Sequence, residues 1–308
     1  MPSPASPIPA ARDRVRSGIA SMLVAMALIA VMNAVSKLLA DGYSLAEIAF
    51  FRNVFALLPA AAMLTAAGGV RSLRTRRLAG HLWRAVVGLT SMVLLFWSYR
   101  LMLLANAVAI SYAAPLFLTA LSVPLLGERV GPYRWSAVAV GFVGVLVIVR
   151  PDGGVVSQGA LVALAAALAY ALAMIAMRQL GRTEAPATTV AYFTAICTLL
   201  SGLAVPFAWS TPTPAAFGLM AVMGLAGGCS QYFVTRAYAL APAVVIGPFA
   251  YVGILWATLF GWLLWGETPS LHVAVGVAIV ILSGLMILYR ETRGRPADAV
   301  PAPAPVAR

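Results

Sequence analysis

Long apolar stretches, separated by short clusters of charged residues, proline or glycine, run along almost the whole chain. A helix needs about 20 apolar residues to cross a bilayer. The stretches are continuous rather than alternating, which predicts membrane-spanning helices and argues against the strands of a spanning barrel. The predicted helices cover residues 17–40, 44–67, 79–101, 103–126, 132–149, 157–179, 187–209, 214–238, 243–265 and 269–289.

The composition supports an all-α integral membrane protein. Of the 308 residues, 62% are hydrophobic and only 10% are charged, whereas a soluble domain of this length needs far more charge on its surface. Arginines precede the first apolar stretch, but this stretch is too long for a secretory signal, so residues 17–40 are predicted to be a retained helix. Residues 1–16 and 291–308 are rich in Pro and Ala and are predicted to be short disordered tails.

The net charge of +12 would suggest a nucleic-acid partner in a soluble protein. Here its distribution favours another interpretation. With the N-terminus in the cytoplasm, all but four of the 21 Lys and Arg residues lie on the inner side of the membrane. The positive-inside rule therefore predicts an inner-membrane protein with both termini cytoplasmic, and no nucleic-acid role is expected. The four exceptions are Lys37, Arg52, Arg100 and Arg150.

The second half of the chain repeats the first. Aligned pairs include Lys37 with Arg178, Phe51 with Tyr192, Gly88 with Gly224, Arg100 with Arg236, Tyr112 with Tyr251 and Glu128 with Glu267. Each copy contains five predicted helices, and because five is odd the second copy enters the membrane upside down. The fold class predicted is thus ten transmembrane helices in two inverted repeats, the architecture through which transporters alternate between two states. Glu128 and Glu267 are expected to be structural, at helix N-termini, with gating as the alternative.

Three segments resemble the drug/metabolite transporter superfamily, EamA type. They read RLMLLANAVAISYAAPLFLTALSVPLLGERVG, RAYALAPAVVIGPFAYVGILWATLFGWLLWGE and EIAFFRNVFALL. The resemblance covers about residues 17–290 and implies two EamA-like units, 17–149 and 157–290. It implies a secondary transporter that moves a small organic metabolite by alternating access. Members of this family move amino acids, nucleobases, riboflavin, S-adenosylmethionine or metallophores, and the fold alone does not choose among them.

Polar and aromatic side chains within the helices are the candidates for substrate binding. Polar groups inside a membrane are costly and usually functional, and aromatic side chains suit the walls of a small-molecule pocket. Gln231 is the strongest candidate because its amide needs partners at both ends; the alternative is a hydrogen bond between helices. The full set is Asn33, Ser36, Trp97, Tyr112, Tyr170, Met174, Gln231, Tyr232 and Tyr251.

These side chains suit a flat ring with polar edges, such as riboflavin, a nucleobase-like ring or an aromatic amino acid. Lys37 and Arg178 are candidate charge partners for a carboxylate, unless they snorkel to the interfaces. No metal-ligand spacing, cofactor motif, P-loop or hydrolase motif is present, so neither enzymatic activity nor direct ATP coupling is expected. A channel and a non-transport scaffold or receptor remain as alternatives, and a homodimer is an open question.

Overall fold

The computed structural model describes residues 11–128, 130–149 and 157–293, and within these ranges all regular secondary structure is helical. Two short 3-10 helices, Gly69–Leu73 and Val205–Phe207, lie in connections. The α-helices are α1 (Ala11–Ala40), α2 (Leu45–Ala66), α3 (Leu78–Leu101), α4 (Leu104–Ser111), α5 (Ala114–Leu126), α6 (Pro132–Val149), α7 (Gln158–Leu180), α8 (Pro186–Ala204), α9 (Pro214–Leu240), α10 (Ala243–Ala250), α11 (Val252–Trp265) and α12 (Leu271–Arg293).

Ten apolar spans are present in the described part of the chain, as the sequence predicts. Nine are long and apolar enough to cross a membrane, and the apolar part of α12, Leu271–Ile287, is a shorter tenth. The helices extend further at both ends than expected, because α1 begins at Ala11 and α12 continues to Arg293. Asp13 and Arg16, 3.9 Å apart, form a one-turn ion pair in the first turns of α1. The outer parts of the two expected tails lie outside the described residues.

The fourth and ninth spans are each broken near the middle, although the sequence predicts continuous helices there. Tyr112 lies where α4 meets α5, and its repeat counterpart Tyr251 lies where α10 meets α11. The first break has a local cause: Pro115 has no N–H to donate to the carbonyl of Ser111, so the helical ladder stops. Broken helices in a membrane are tolerated where they are buried in protein or line a cavity.

The two units of five spans each, α1–α6 and α7–α12, interlock rather than lie side by side. Helix α1 packs along α9, and in the repeat-related interface α7 packs along α3. Helices α2 and α8, and α6 and α12, pair across the repeats in the same way. Glycine permits the closest approaches: a Cβ on Gly144 would lie 2.9 Å from the carbonyl oxygen of Gly276, and one on Gly224 would lie 2.7 Å from that of Arg52.

The two halves of the bundle are packed differently. We call the face that carries both chain ends the terminal side and the opposite face the far side. On the far side α4 packs against α11, and α1 against α3. The repeat-related pairs on the terminal side, α5 with α10 and α7 with α9, make no comparable contact among the described residues. The far half is therefore closed, with Tyr99, Leu104 and Met220 fully buried, and the terminal half is splayed.

Candidate functional site

Helix α7 is exposed along two opposite faces. Leu161 and Leu168 lie on the face that is directed away from the bundle, toward lipid. Half a helical turn away, Tyr170, Met174 and Met177 are directed into the bundle. Tyr170 is nevertheless 52% exposed and Met177 45% exposed, while Met174 is half-buried. Because these side chains face the interior and are still exposed, and because α7 makes no extensive contact with α9 among the described residues, we infer an internal cleft that opens toward the terminal side.

Helix α9 forms the opposite wall of this cleft and has the same two-sided exposure. Val222 and Leu225 face outward, whereas Gln231 and Tyr238 are exposed on the face toward the bundle. Tyr238 lies within electrostatic range of Tyr170. The two walls therefore face each other across the gap between α7 and α9.

The corresponding face in the far half is packed shut. Asn33 and Ser36 of α1 are the repeat counterparts of Met174 and Met177, yet they are only 6% and 0% exposed. The hydroxyl of Ser36 lies 3.1 Å from the sulfur of Met223 on α9. The same surface of the repeat is thus closed on one side of the membrane and open on the other.

Tyr112 and Tyr251 close the cleft near the middle of the bundle. Their ring centroids are 5.0 Å apart, and the Tyr112 hydroxyl donates to the carbonyl of Ala250 at 2.7 Å. Tyr112 also lies within electrostatic range of Tyr170. Two repeat-related aromatic rings, one from each helix break, therefore separate the cleft from the closed far half.

Arg84, in the second turn of α3, lies in the cleft wall and is only 9% exposed. Its guanidinium is 4.3 Å from the ring centroid of Phe193, donates to the carbonyl of Thr189 at 3.2 Å and lies 3.9 Å from the sulfur of Met177. It is within electrostatic range of Tyr170 and forms no ion pair with a described carboxylate. In the sequence Arg84 counts only as an orientation charge, although its position inside an apolar helix is the signal of a functional cation.

Among the described residues, two repeat-related ion pairs of a Lys or Arg with a Glu join the repeats at opposite sides of the bundle. Lys37 of α1 pairs with Glu267 on the far side, and Arg178 of α7 pairs with Glu128 on the terminal side at 3.7 Å. Because Lys37 aligns with Arg178 and Glu267 with Glu128, the same contact is made twice. The far-side pair is half-buried, with both side chains 11% exposed, whereas both side chains of the terminal-side pair are 41% exposed.

The far-side pair also ties helix ends together. Lys37 donates to the carbonyl of Met102 at 3.2 Å and lies 5.0 Å from the ring centroid of Trp265. The second carboxylate oxygen of Glu267 accepts from the N–H of Leu104 at 2.9 Å, one of the unpaired donors at the start of α4. The sequence suggests that Glu267 serves the helix that follows it, but this carboxylate contacts the start of a helix from the other repeat.

The recurring Gly-Glu pair has a backbone reason as well. Gly127 and Gly266 end α5 and α11 with φ of 67°, a left-handed conformation that favours glycine. The N–H groups of Glu128 and Glu267 then bond back to carbonyls of the helix that has just ended, at 3.2 and 3.0 Å. Each glycine turns the chain so that the glutamate after it reaches the cation of the other repeat.

Two of the sequence candidates lie away from the cleft. Trp97 is 37% exposed on the outward stripe of α3 that contains Val86, and Tyr232 is 44% exposed on the outward stripe of α9 that contains Leu225. On the far side, a polar vestibule of about 680 Å³ lies at the helix ends and extends inward to Tyr99, at the edge of the closed half. Its polar lining includes Lys37, Asp41, Arg100, Asn106, Glu267 and His272.

A family model, described as the EamA-like transporter family, matches the chain twice, over residues 16–150 and 157–289. The chain is 30% identical to a riboflavin transporter of Rhizobium johnstonii, over 80% of this chain and 82% of that protein. It is 32% identical to a pseudopaline exporter of Pseudomonas aeruginosa, over 92% and 99%. It is 27% identical to an S-adenosylmethionine uptake transporter of Rickettsia prowazekii, over 90% and 94%.

The fold also resembles a solved crystal structure with a TM-score of 0.62, over 92% of this chain and 99% of that one. The sequence identity is 19%, so this likeness concerns the fold alone. The two family matches coincide with the two interlocking units, which supports the division into repeats.

Proposed function

The chain belongs to the EamA-like transporter family, and from this premise we propose that it carries a small organic metabolite across the inner membrane by alternating access. The observation that carries the proposal is the unequal packing of repeat-related faces. Tyr170 and Met177 are exposed in the terminal half, while Asn33 and Ser36 are buried in the far half. If the two repeats exchange conformations, the far half opens and the terminal half closes around the same central tyrosines.

The terminal side is the cytoplasmic side in this proposal. The concentration of Lys and Arg in the connections and helix ends on that face supports the assignment. The conformation described is then closed toward the outside and open toward the cytoplasm.

The substrate-binding surface comprises Tyr170, Met174, Gln231 and Tyr238 in the walls, with Tyr112 and Tyr251 at the end of the cleft. Aromatic rings stack on a flat ligand, and an amide can both donate to and accept from the polar edge of that ligand. Riboflavin and S-adenosylmethionine, for which relatives are named, both contain a fused heteroaromatic ring. A metabolite with such a ring is the substrate class that this surface supports.

Each of the two ion pairs holds one side of the bundle closed in one of the two conformations, and in this sense we call it a latch. Lys37–Glu267 holds the far side closed by joining α1, α11 and the start of α4. Arg178–Glu128 occupies the related position on the terminal side, where it is exposed beside the splayed helices. In the opposite conformation the terminal-side pair becomes buried and the far-side pair becomes exposed.

The test is uptake by purified protein in proteoliposomes, with riboflavin, S-adenosylmethionine and tryptophan as labelled probes. Gln231→Leu removes a hydrogen-bonding group from the cleft wall and is expected to lower affinity for the transported probe by about ten- to a hundredfold. Tyr232→Phe is the matched control, because Tyr232 is next to Gln231 in sequence but faces outward. This variant should transport like the wild type. Normal transport by both Gln231→Leu and Tyr170→Ala would refute the location of the site.

A further inference from the structure

We infer that Arg84 binds an acidic group of the substrate, so that the transported metabolite carries a carboxylate or a comparable anion beside its ring. This inference rests on the proposed transport function and names the chemistry of its substrate more closely.

Arg84 is a buried cation that has no acidic partner among the described residues. A charge within a spanning helix is costly, and such residues usually pair with another charge or mark a ligand pathway. The contacts of Arg84 are a carbonyl, an aromatic ring and a thioether sulfur, which leave most of the five guanidinium donors without a strong acceptor. No described carboxylate pairs with it.

The position of Arg84 directs those donors toward the cleft. Met177, whose sulfur lies near the guanidinium, is 45% exposed, and Tyr170, within electrostatic range, is 52% exposed. Lys37 and Arg178, which the sequence suggests for a substrate carboxylate, are instead paired with Glu267 and Glu128. Among the described residues, Arg84 is therefore the buried guanidinium that borders the exposed faces of the cleft.

A second buried arginine occupies the related place in the far half. Arg52, in the second turn of α2, is 7% exposed; one Nη donates to Asn53 at 2.9 Å, and Nε has no partner. In the repeat alignment that pairs Lys37 with Arg178, Arg52 corresponds to Phe193, whose ring contacts Arg84. Cys197 lies within electrostatic range of both guanidinium groups.

Among the described residues, each half of the bundle thus holds one buried guanidinium that lacks an acidic partner. Arg52 lies where α2 packs on α9, and Arg84 lies in the repeat-related contact, where α3 packs on α8. An anion that leaves Arg84 when the terminal half closes would meet Arg52 when the far half opens. A bidentate contact between a guanidinium and a carboxylate would orient the ligand in both conformations. The cleft therefore favours an aromatic amino acid or an S-adenosylmethionine-like molecule, each with a ring and a carboxylate, over a neutral ring.

The test compares matched probes that differ in the carboxylate. Binding of tryptophan and tryptophanamide, and of S-adenosylmethionine and its decarboxylated analogue, is measured on purified full-length protein by thermal shift and by competition in proteoliposomes. In at least one pair the carboxylate form should bind about tenfold tighter or better. Arg84→Gln should remove this preference, Arg84→Lys should keep part of it, and Arg182→Gln, an exposed charge beyond α7, should keep all of it.

Equal binding of both members of every pair by the wild type would overturn the inference, as would binding of no carboxylate probe. A retained preference in Arg84→Gln would overturn it as well. If Arg84→Gln does not fold, the wild-type comparison and Arg84→Lys decide the matter. Riboflavin transport without any carboxylate preference would refute the role of Arg84 while leaving the transport function intact, whereas absence of all transport would refute the function itself.

Discussion

Glu267→Gln should shift the protein toward the conformation that is open on the far side. The substitution removes the charge that pairs with Lys37 but keeps an oxygen that can accept from the N–H of Leu104. Lys37, whose side chain is 11% exposed, then keeps only its contacts with the carbonyl of Met102 and the ring of Trp265. Leaving a partly buried charge without its partner costs about 2–3 kcal/mol, less than for a fully buried pair.

That cost applies only to the conformation in which the far side is closed, so it changes the ratio of the two conformations by about thirty- to a hundred-and-fiftyfold. The assay is the rate at which an impermeant thiol reagent labels Asn33→Cys, in a background without Cys197 and Cys229. Asn33 is 6% exposed, and its labelling from the far side should accelerate strongly in Glu267→Gln. Labelling of Met177→Cys from the terminal side should slow in parallel, because Met177 is 45% exposed only while that half is splayed.

Glu128→Gln is the matched control, since it alters the related pair on the other side. Both side chains of the Arg178–Glu128 pair are 41% exposed, so loss of this pair should cost only about 0–1 kcal/mol and change the labelling of Asn33→Cys little. Exchange of the two charges, Lys37→Glu with Glu267→Lys, should restore only part of the protection of Asn33→Cys, because the exchanged pair loses the bonds to the Met102 carbonyl and the Leu104 N–H. If Glu267→Gln leaves Asn33→Cys as protected as it is in the wild type, the far-side pair is not a latch.

Two further predictions concern the positions that the repeats share. Tyr112→Phe keeps the ring packed on Tyr251 but loses the bond to the Ala250 carbonyl, which should lower the unfolding free energy by about 1 kcal/mol in thermal denaturation. An unchanged midpoint would show that this bond contributes nothing. Gly266→Ala forces a side chain into the left-handed region at φ of 67° and should cost about 1–2 kcal/mol by the same measurement, whereas Gly42→Ala, with nothing near its Cβ position, should not. Equal midpoints for the two alanine variants would contradict the assignment of a strained turn.

The spans and their repetition could be predicted because both depend on local properties. Apolar length determines whether a helix can cross the bilayer. The aligned Gly-Glu pairs recur because the left-handed turn at the end of α5 and of α11 favours glycine in both repeats. The break at Tyr112 has a local signal in Pro115, but whether a proline bends or interrupts a helix depends on what surrounds it.

The direction in which a side chain faces could not be predicted from the sequence. Gln231 and Tyr232 are neighbours in sequence, yet one faces the cleft and the other faces outward, because the phase of α9 is determined by its packing on α1 and α2. The Lys37–Glu267 pair joins residues 230 positions apart, so only the packed bundle brings them together. In the sequence Arg84 is one of many charges that orient the chain, and only the packed structure shows that it is buried with no acidic partner among the described residues.

Counterflow in proteoliposomes tests the central claim most directly. Vesicles that contain the purified protein are loaded with unlabelled riboflavin, S-adenosylmethionine or tryptophan, and uptake of the same labelled compound is followed. A carrier that alternates between the described conformation and its repeat-related opposite should accumulate label transiently, because internal substrate speeds the return of the binding site. Uptake that does not respond to internal substrate would indicate a channel, and no protein-dependent uptake of any probe would contradict the proposed transport of this substrate class.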